Sequence, residues 1–253
     1  MTSKNFQELV DIMYKLRKEC PWDREQTNDS IKAATLEETY EVLEAIDQKD
    51  YNELRSELGD LLLHVLFHSV IAEELGEFNL NDVINAIKEK LIRRHPHVFG
   101  DVEANTSGEI TRNWEKIKLA EGRDSVLQGV PKNLPELSKA YRLQEKAAKV
   151  GFDWSNKEDV WKKVTEEIGE LHEIEKSGDK KEIEKEMGDL FFALVNYSRY
   201  IGIHPENALR LTNEKFINRF SYIEKKLKEK GKSISDSNLA EMDTYWEESK
   251  KYY

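Results

Sequence analysis

The sequence predicts an all-α protein built from two tandem copies of one helical-bundle unit. Apolar residues recur at helical spacing through most of the chain, and no segment alternates convincingly with a period of two. One acidic pattern, Glu-Glu-x-x-Glu followed by Glu-x-x-Asp, also occurs twice, at one constant offset. Its members are Glu37, Glu38, Glu41, Glu57 and Asp60 in the first copy and Glu166, Glu167, Glu170, Glu186 and Asp189 in the second. A constant offset of this kind is typical of internal duplication.

Four long helices are predicted in the first half. They cover residues 4–19, 30–48, 50–76 and 80–94. The first ends before Pro21, because the residue preceding a proline is pushed out of the helical region. Trp22 and Asp23 then open a predicted loop. The third helix has Asp50 as its predicted N-cap and is apolar nearly all round, which favours a central place in a bundle.

Periodicity fades between Gly100 and Pro135, apart from a short predicted helix over Glu109–Ala120. We therefore predict an N-terminal domain over residues 1–100, a linker over 101–135 and a C-terminal domain over 136–253. The helices of the second half are expected at 136–149, 157–176, through 190–195 and from 204 to 231, followed by a polar tail. Val164, Ile168 and Leu171 form the predicted core side of the second acidic helix.

Composition narrows the classes of protein to which the chain belongs. The 253 residues are enough for two modest domains, each with its own core. The formal net charge of -11 disfavours nucleic acid or an anionic membrane as the main partner. Cys20 is the single cysteine, so no intrachain disulfide can form. The N-terminus lacks a signal-peptide core, and the longest apolar run, residues 61–72, is too short to span a bilayer. We expect a cytoplasmic protein.

The duplicated acidic residues predict a metal site. Residues three or four apart on a helix are neighbours, so Glu167 and Glu170 face the same way, as do Glu186 and Asp189 on the next helix. The short turn between the helices favours antiparallel packing, which puts four carboxylates around one volume. Such a cluster is costly without a cation, and all-oxygen ligation suits Mg²⁺ or Mn²⁺ better than Zn²⁺. The alternative is a solvated acidic face, the usual meaning of a single Glu-x-x-Glu.

A phosphate-binding site also needs positive charge. Lys215 and Arg219 are four residues apart on the last long helix, and Lys90 and Arg94 are comparable in the first half. Lys163, beside the second acidic helix, is a further candidate. Ordinary surface charge is the alternative for each of them. The first half therefore offers a second, weaker site, composed of Glu38, Glu41, Glu57, Asp60, Lys90 and Arg94.

Other candidate residues carry weaker signals. The ring of Trp246 is suited either to stacking on a base or to packing on the bundle. His64 and His68 have a spacing that zinc can use, but Ala193 and Tyr197 replace them in the second copy. We interpret both histidines as packed core residues. Neither a nucleophile triad nor a glycine-rich phosphate loop is recognisable in the sequence.

Together these residues resemble the MazG nucleoside triphosphate pyrophosphohydrolases of the all-α NTP pyrophosphatase superfamily. The matching segments are Cys20–Asp23, Leu36–Glu41, Gly59–Leu62, Arg93–Phe99, Val150–Trp154 and Asn213–Phe216. The resemblance covers nearly the whole chain. It implies two MazG-like helical domains and Mg²⁺-dependent hydrolysis of ribo- and deoxynucleoside triphosphates to monophosphate and pyrophosphate. It also implies broad base tolerance, a nucleotide-pool or house-cleaning role and a homodimer.

The resemblance also implies roles for individual residues. The metal ligands would be Glu167, Glu170, Glu186 and Asp189, and the nucleotide contacts Lys163, Glu166, Lys215, Arg219 and Trp246. The second half is expected to do most of the catalysis. One difference between the halves supports this, because Asn196 corresponds to Phe67 in the first copy. An amide able to reach phosphate or metal is therefore missing there.

The expected reaction is in-line attack of water on the α-phosphorus. Mg²⁺ would polarise the phosphates and lower the pKa of a bound water, and Glu166 or Glu167 would accept the proton. Lys215 and Arg219 would stabilise the leaving pyrophosphate. One alternative is a regulatory or scaffold protein that binds NTP–Mg²⁺ without cleaving it. Another is a helical dimerisation module whose ligand binding does not depend on metal.

Overall fold

The computed structural model describes residues 2–104, 106, 108–110, 113–114, 117, 121 and 125–253. The chain divides into two compact units, unit 1 (Met1–Ile110) and unit 2 (Thr111–Tyr253). The described residues contain helices and no β-strand, which confirms the all-α prediction. None of the described helices is both long and apolar enough to cross a membrane.

Six helices of unit 1 lie wholly within its described residues. They are α1 (Thr2–Glu19), α2 (Pro21–Glu25), α3 (Lys32–Gln48), α4 (Tyr51–Glu74), α5 (Leu80–Arg94) and α6 (Pro96–Phe99). The loop predicted at Trp22 and Asp23 is wrong, because these residues lie in the single turn of α2. Pro21 occupies the first helical position, where its missing N–H costs nothing and its fixed φ favours helix.

The core of unit 1 lies between α1 and α4. Its buried residues are Val10, Met13, Ile31, Leu66, Phe67, Val70 and Ile71. Helix α4 was predicted to lie centrally in a bundle because it is apolar nearly all round, but one of its faces is not covered within unit 1. Leu58 and Val65 on that face are 50% and 43% exposed.

Five α-helices of unit 2 lie wholly within its described residues. They are α7 (Glu136–Lys149), α8 (Lys157–Glu175), α9 (Lys180–Tyr200), α10 (Pro205–Glu229) and α11 (Leu239–Ser249), with a short 3₁₀ turn at Ile234–Asp236. The predicted polar tail is therefore largely helical, since the side chain of Asn238 caps α11 and Tyr245 packs into a small core with Ile223 and Leu227. The predicted helix Glu109–Ala120 lies partly outside the described residues.

Helix α9 packs against α8 and α7, and α10 packs against α7 and α11. Val160 and Val164 of α8 are buried against this arrangement. Ile168 was expected beside Val164 but is 50% exposed, so its assignment to the core side is wrong.

The helix pairs α3–α4 and α8–α9 are joined by the same kind of turn. Lys49 and Gly178 occupy corresponding positions, and both have left-handed backbones, with φ of 56° and 70°. The next residue, Asp50 or Asp179, accepts a hydrogen bond from the backbone N–H two residues later, 2.9 Å long in each case. Asp50 is the predicted N-cap, and its contacts confirm that assignment, while Asp179 caps α9 in the same way. The shared turn sets the two acidic helices of each unit side by side.

Candidate active site

Three carboxylates of unit 2 converge where α8 packs on α9. Glu167 lies on α8, Glu186 and Asp189 lie on α9, and one oxygen of each is within 4.8 Å of the others. Glu167 is buried at 6% exposure, whereas Glu186 is half-buried and Asp189 is exposed. A buried carboxylate next to two others is costly unless positive charge compensates it. We call these three residues the acidic group of unit 2.

The fourth predicted ligand, Glu170, lies beside this group. Its carboxyl hydrogen-bonds that of Glu167, and this contact is the largest cause of a raised pKa for Glu170, followed by burial. A hydrogen bond between two carboxyl groups requires a proton on one of them. When both are ionised, their repulsion favours a cation in place of that proton.

Lys163 supplies positive charge on the same helix. Its Nζ atom lies 2.7 Å from Oε1 of Glu166 and 2.7 Å from Oε1 of Glu167. These two hydrogen bonds raise the pKa of Lys163, so the side chain remains an ammonium group. One ammonium cannot neutralise the five acidic residues of the duplicated pattern. The remaining charge and the all-oxygen donor set fit Mg²⁺ or Mn²⁺.

The acidic group borders two spaces large enough for a ligand. Lys163, Glu167 and Asp189 are among the residues that line a cavity of about 640 Å³. A shallower depression of about 610 Å³ is lined by Glu166, Glu170 and Glu186. The carboxylates therefore lie between two accessible volumes, an arrangement suited to a substrate that extends past a metal site.

Asn196 lines the larger cavity, as expected of an amide able to reach a ligand. Its Oδ1 accepts hydrogen bonds from Nε and Nη2 of Arg199, at 3.1 and 2.9 Å. Arg199 in turn donates from Nη1 to Oδ2 of Asp153 at 3.0 Å. Sequence reasoning assigned no role to Arg199, or to Gln144 on the same wall, and it singled out Asp153 only as part of the matching segment Val150–Trp154. None belongs to the duplicated acidic pattern, and no spacing signal connects residues so far apart in the chain.

The other predicted nucleotide contacts lie on α10 and α11. Arg219 donates to the backbone oxygen of Tyr253, from Nη2 at 2.6 Å, and its guanidinium lies 5.5 Å from the ring centre of Trp246. Trp246 also packs against Phe216 at 5.4 Å. Lys215 is exposed. The residues that line the two described spaces beside the acidic group do not include Lys215, Arg219 or Trp246.

Unit 1 contains a second acidic group. Oxygens of Glu38, Glu41 and Glu57 lie within 4.8 Å of one another. Burial is the largest cause of the raised pKa values of Glu38 and Glu57, and the charge of Glu41 is the next. Asp60 lies near enough for its charge to raise both pKa values, although it is outside the closest three. Lys90 is exposed near the end of α5, and Arg94 is half-buried at its last position.

His64 and His68 form a polar network with α3. The hydroxyl of Thr35 lies 2.9 Å from Nδ1 of His64 and 2.9 Å from Nε2 of His68. His68 also contacts Oδ1 of Asn28 at 2.7 Å, and Nε2 of His64 lies 3.8 Å from Oε1 of Glu38. Both rings are half-buried, and hydrogen bonds hold them rather than apolar packing alone.

Comparisons with known proteins agree with this geometry. A model of the MazG nucleotide pyrophosphohydrolase domain matches residues 26–99 and 155–223, the segments that contain the two acidic groups. The chain is 45% identical over 250 residues to the nucleoside triphosphate pyrophosphohydrolase/pyrophosphatase MazG of Thermotoga maritima, covering 97% of this chain and 95% of that one. It is 44% identical over 252 residues to the nucleoside triphosphate pyrophosphohydrolase of Escherichia coli K12, covering 96% of each.

A solved structure of a mazG-related protein from Thermotoga maritima is also similar, with 26% identity and a TM-score of 0.41 over 45% of this chain and 98% of that one. The domain match covers more than half of the chain, and the two relatives align along nearly all of it. This chain belongs to the MazG nucleotide pyrophosphohydrolase family.

Proposed function

We propose that this chain is a nucleoside triphosphate pyrophosphohydrolase that cleaves ribo- and deoxynucleoside triphosphates to monophosphate and pyrophosphate, with broad base tolerance and a role in controlling the nucleotide pool. The observation that carries the proposal is the convergence of Glu167, Glu186 and Asp189 beside a cavity of about 640 Å³, which Glu167 and Asp189 line. The names of the Thermotoga and Escherichia relatives support it, because both describe pyrophosphohydrolases of nucleoside triphosphates.

The proposed cofactor is Mg²⁺, with Mn²⁺ as a substitute. Glu167, Glu186 and Asp189 would hold it, and Glu170 lies beside them. When bound, such an ion neutralises phosphate charge and makes the α-phosphorus more electrophilic. The support for a hard cation is the all-oxygen donor set formed by Glu167, Glu186 and Asp189.

The proposed reaction needs a base that takes a proton from the attacking water, and a neighbouring group that holds this base in position. Oε1 of Glu166 is held by Lys163 at 2.7 Å, which leaves its other oxygen to accept a proton from water. The water oxygen bonds to the α-phosphorus while the bond from that phosphorus to the bridging oxygen breaks. Pyrophosphate leaves with the bonding electrons, and the proton goes to Glu166 or, as the alternative base, Glu167. Lys163 therefore acts by fixing Glu166 and by contacting the phosphates.

The proposed catalytic unit is a homodimer. Large apolar side chains remain exposed along the acidic helix pairs of both units, among them Leu58, Val65, Ile168, Phe191 and Leu194. Exposed apolar surface of this extent usually marks an interaction face, and a second copy of the chain presents the same face for a symmetric contact. A second copy would also provide the Lys215, Arg219 and Trp246 side chains that the lining of the two spaces lacks, to stabilise pyrophosphate and contact the nucleotide.

The proposed partners do not include nucleic acid or a membrane. The net charge of -11 repels polyanions, and the compensating lysine and arginine residues are too few to reverse it. The cytoplasm, where nucleoside triphosphates are made and used, is the proposed location.

A product assay tests this function. The chain is incubated with dGTP and Mg²⁺ in ¹⁸O-labelled water, and both products are analysed by mass spectrometry. We expect pyrophosphate, with the label in dGMP, because attack on the α-phosphorus places the water oxygen there. Orthophosphate, or label in pyrophosphate, would mean cleavage at a different bond. Binding of dGTP–Mg²⁺ without any product would instead favour the regulatory or scaffold alternative.

A further inference from the structure

Helix α7 carries a buried lysine. Lys146 is only 3% exposed, although lysine side chains almost always reach solvent. An ammonium group is costly to bury unless hydrogen bonds replace the water around it. Nζ of Lys146 donates to the backbone oxygen of Val126 at 3.0 Å and to that of Gln128 at 3.2 Å. These bonds compensate for the burial, and they tie α7 to the chain that precedes it.

The two carbonyl groups belong to a tight turn over residues 125–128. The backbone N–H of Gln128 donates to the backbone oxygen of Ser125 at 3.1 Å, which is the bond that closes a β-turn. The backbone N–H of Leu127 donates to Oγ of Ser125 at 3.2 Å. Lys146 thus binds the residues on either side of Leu127, so it fixes the position of that leucine relative to α7.

Leu127 lines the larger cavity beside the acidic group of unit 2, whereas Lys146 is not among the lining residues. Among the described residues, Leu127 is the one lining residue that precedes α7, since the others lie on α7, α8, α9 or residues 151–154. It is 45% exposed, so its side chain has surface free for a ligand. The helices therefore leave one part of the cavity wall to the turn.

Helix α7 contributes to the same cavity through residues next to Lys146. Leu143, Gln144 and Ala147 all line it. The amide of Gln144 donates to the backbone oxygen of Phe192 at 2.8 Å, and its buried Oε1 has no hydrogen-bond partner among the described residues. One helix thus carries part of the wall and also the ammonium group that holds the turn. A shift of the turn relative to α7 would change the shape of the cavity directly.

The contact of Lys146 attaches the turn rather than forming it. Neutral bonds to Ser125 already close the turn, whereas the bonds from the ammonium group join it to α7. Hydrogen bonds from a charged donor are about twice as strong as neutral ones. The packing of α8, in which Val160 and Val164 are buried, does not include this contact. Loss of the ammonium group should therefore release the turn and leave the helices in place.

We propose that Lys146 is a positioning residue for the reaction, because it ties the 125–128 turn to α7 and so keeps Leu127 at the wall of the cavity that takes the substrate. The proposal rests on the function proposed above, since the substrate is the same nucleoside triphosphate. Lys146 acts through Leu127 and not by contact with the reacting atoms. A wall residue of this kind contacts the bound substrate and the transition state alike, so its displacement weakens binding and leaves the chemical step unchanged.

A double-mutant cycle tests whether the lysine acts through the leucine. Isothermal titration calorimetry with Mg²⁺ and a non-hydrolysable α,β-methylene nucleoside triphosphate gives the Kd of the full-length protein, of Lys146→Met, of Leu127→Ala and of the double variant. Each single change should raise Kd by about tenfold. The double variant should also lose only about tenfold, because the attachment of the turn has no further effect once the leucine is absent.

Steady-state kinetics with dGTP provide a second readout. In Lys146→Met we expect KM to rise by about tenfold and kcat to stay within about twofold of the wild type. A merely structural role would instead reduce the amount of active enzyme, which lowers kcat at an unchanged KM. Lys139→Met is the matched control, because it makes the same substitution on α7 at a lysine that pairs with Glu136 at 2.6 Å. It should leave both constants unchanged.

Lys146→Gln is a second variant with the same expected loss, because its side chain is neutral and too short to reach both carbonyl groups. Circular dichroism establishes that each variant is folded. An unchanged Kd in the folded Lys146 variants would overturn the proposal. So would losses that multiply to about a hundredfold in the double variant, or a fall in kcat at constant KM. Failure of the proposed function looks different, since the Kd cycle would keep its non-additive pattern while no nucleotide yields pyrophosphate.

Discussion

The Nζ atom of Lys163 lies 2.7 Å from Oε1 of Glu167, the most buried carboxylate of the acidic group in unit 2. One oxygen of a proposed metal ligand is therefore already paired with an ammonium group, which also holds Glu166. This contact links the proposed metal site to the proposed base through one side chain. Loss of Lys163 would affect both at once.

Removing Asp189 of the acidic group, or Glu170 beside it, should abolish turnover without unfolding the chain. Glu170→Ala and Asp189→Ala should each lower kcat by about a hundredfold or more, because the proposed ion loses a ligand or its neighbour. Both residues are exposed, so helical content should stay the same. The measurement is pyrophosphate release from dGTP beside circular dichroism. Glu158→Gln, an exposed change in the first turn of α8, is the control. Wild-type rates in both alanine variants would contradict the site.

The two units should differ in their share of catalysis. Replacing Glu167, Glu186 and Asp189 together by alanine should eliminate pyrophosphate release, whereas replacing the acidic group of unit 1, Glu38, Glu41 and Glu57, should leave most of it. The physical reason is the cavity, which borders the first set. Calorimetry with Mn²⁺ supplies an independent readout, since each set should remove one class of metal site. An equal loss of turnover from both sets would show that unit 1 is as active as unit 2.

Stability without metal should depend on the pH through Glu170. Its pKa is raised, mainly by the hydrogen bond with Glu167. A carboxyl group with a higher pKa in the folded state binds protons more strongly when folded. Its contribution is therefore fully present below the unfolded pKa, about 4.3, and is lost as the pH rises through the folded value.

The variant Glu170→Gln cannot ionise, so it should escape this loss. We expect the Tm of Glu170→Gln to exceed that of the wild type in EDTA at about pH 7, with a smaller difference at about pH 4. Adding MgCl₂ should raise the Tm of the wild type more than that of the variant. A Tm difference that is the same at every pH would contradict the assignment.

The exposed apolar faces should form the contact between two copies of the chain. Phe191→Glu places a charge on a 53% exposed ring position of α9 and should convert a dimer to a monomer. Light scattering coupled to gel filtration measures the mass. Leu239→Glu, a change at a 78% exposed residue at the start of α11, is the control and should leave the dimer intact. A monomeric wild type, or a dimeric Phe191→Glu variant, would contradict the proposed assembly.

Much of the site follows from sequence because its geometry is local. Helical spacing aligns Glu167 with Glu170 and Glu186 with Asp189, and one short turn then sets the two pairs together. The difference between Asn196 and Phe67 is also visible in the duplicated pattern.

Other parts of the site depend on contacts between distant segments. The pairing of Arg199 with Asp153 and the unpaired oxygen of Gln144 have no periodic signal. Periodicity also identifies an apolar stripe without saying what covers it. Ile168 and Val65 belong to such stripes, yet both are exposed in the single chain. The assignment of Ile168 to the core side was wrong because its stripe extends beyond the face that packs within its own unit.

The turn before α4 carries more backbone strain than the corresponding turn before α9. Lys49 adopts a left-handed backbone that an L-residue with a side chain disfavours by about 1–2 kcal/mol, whereas Gly178 adopts it freely in the other copy. Lys49→Gly should therefore raise the free energy of unfolding of unit 1. The expected gain is a few tenths to about 1 kcal/mol, because glycine also adds conformational freedom to the unfolded chain. Such a change lies away from every carboxylate of the duplicated motif. The glycine of unit 2 at this turn thus indicates a stabilising substitution at the corresponding position of unit 1.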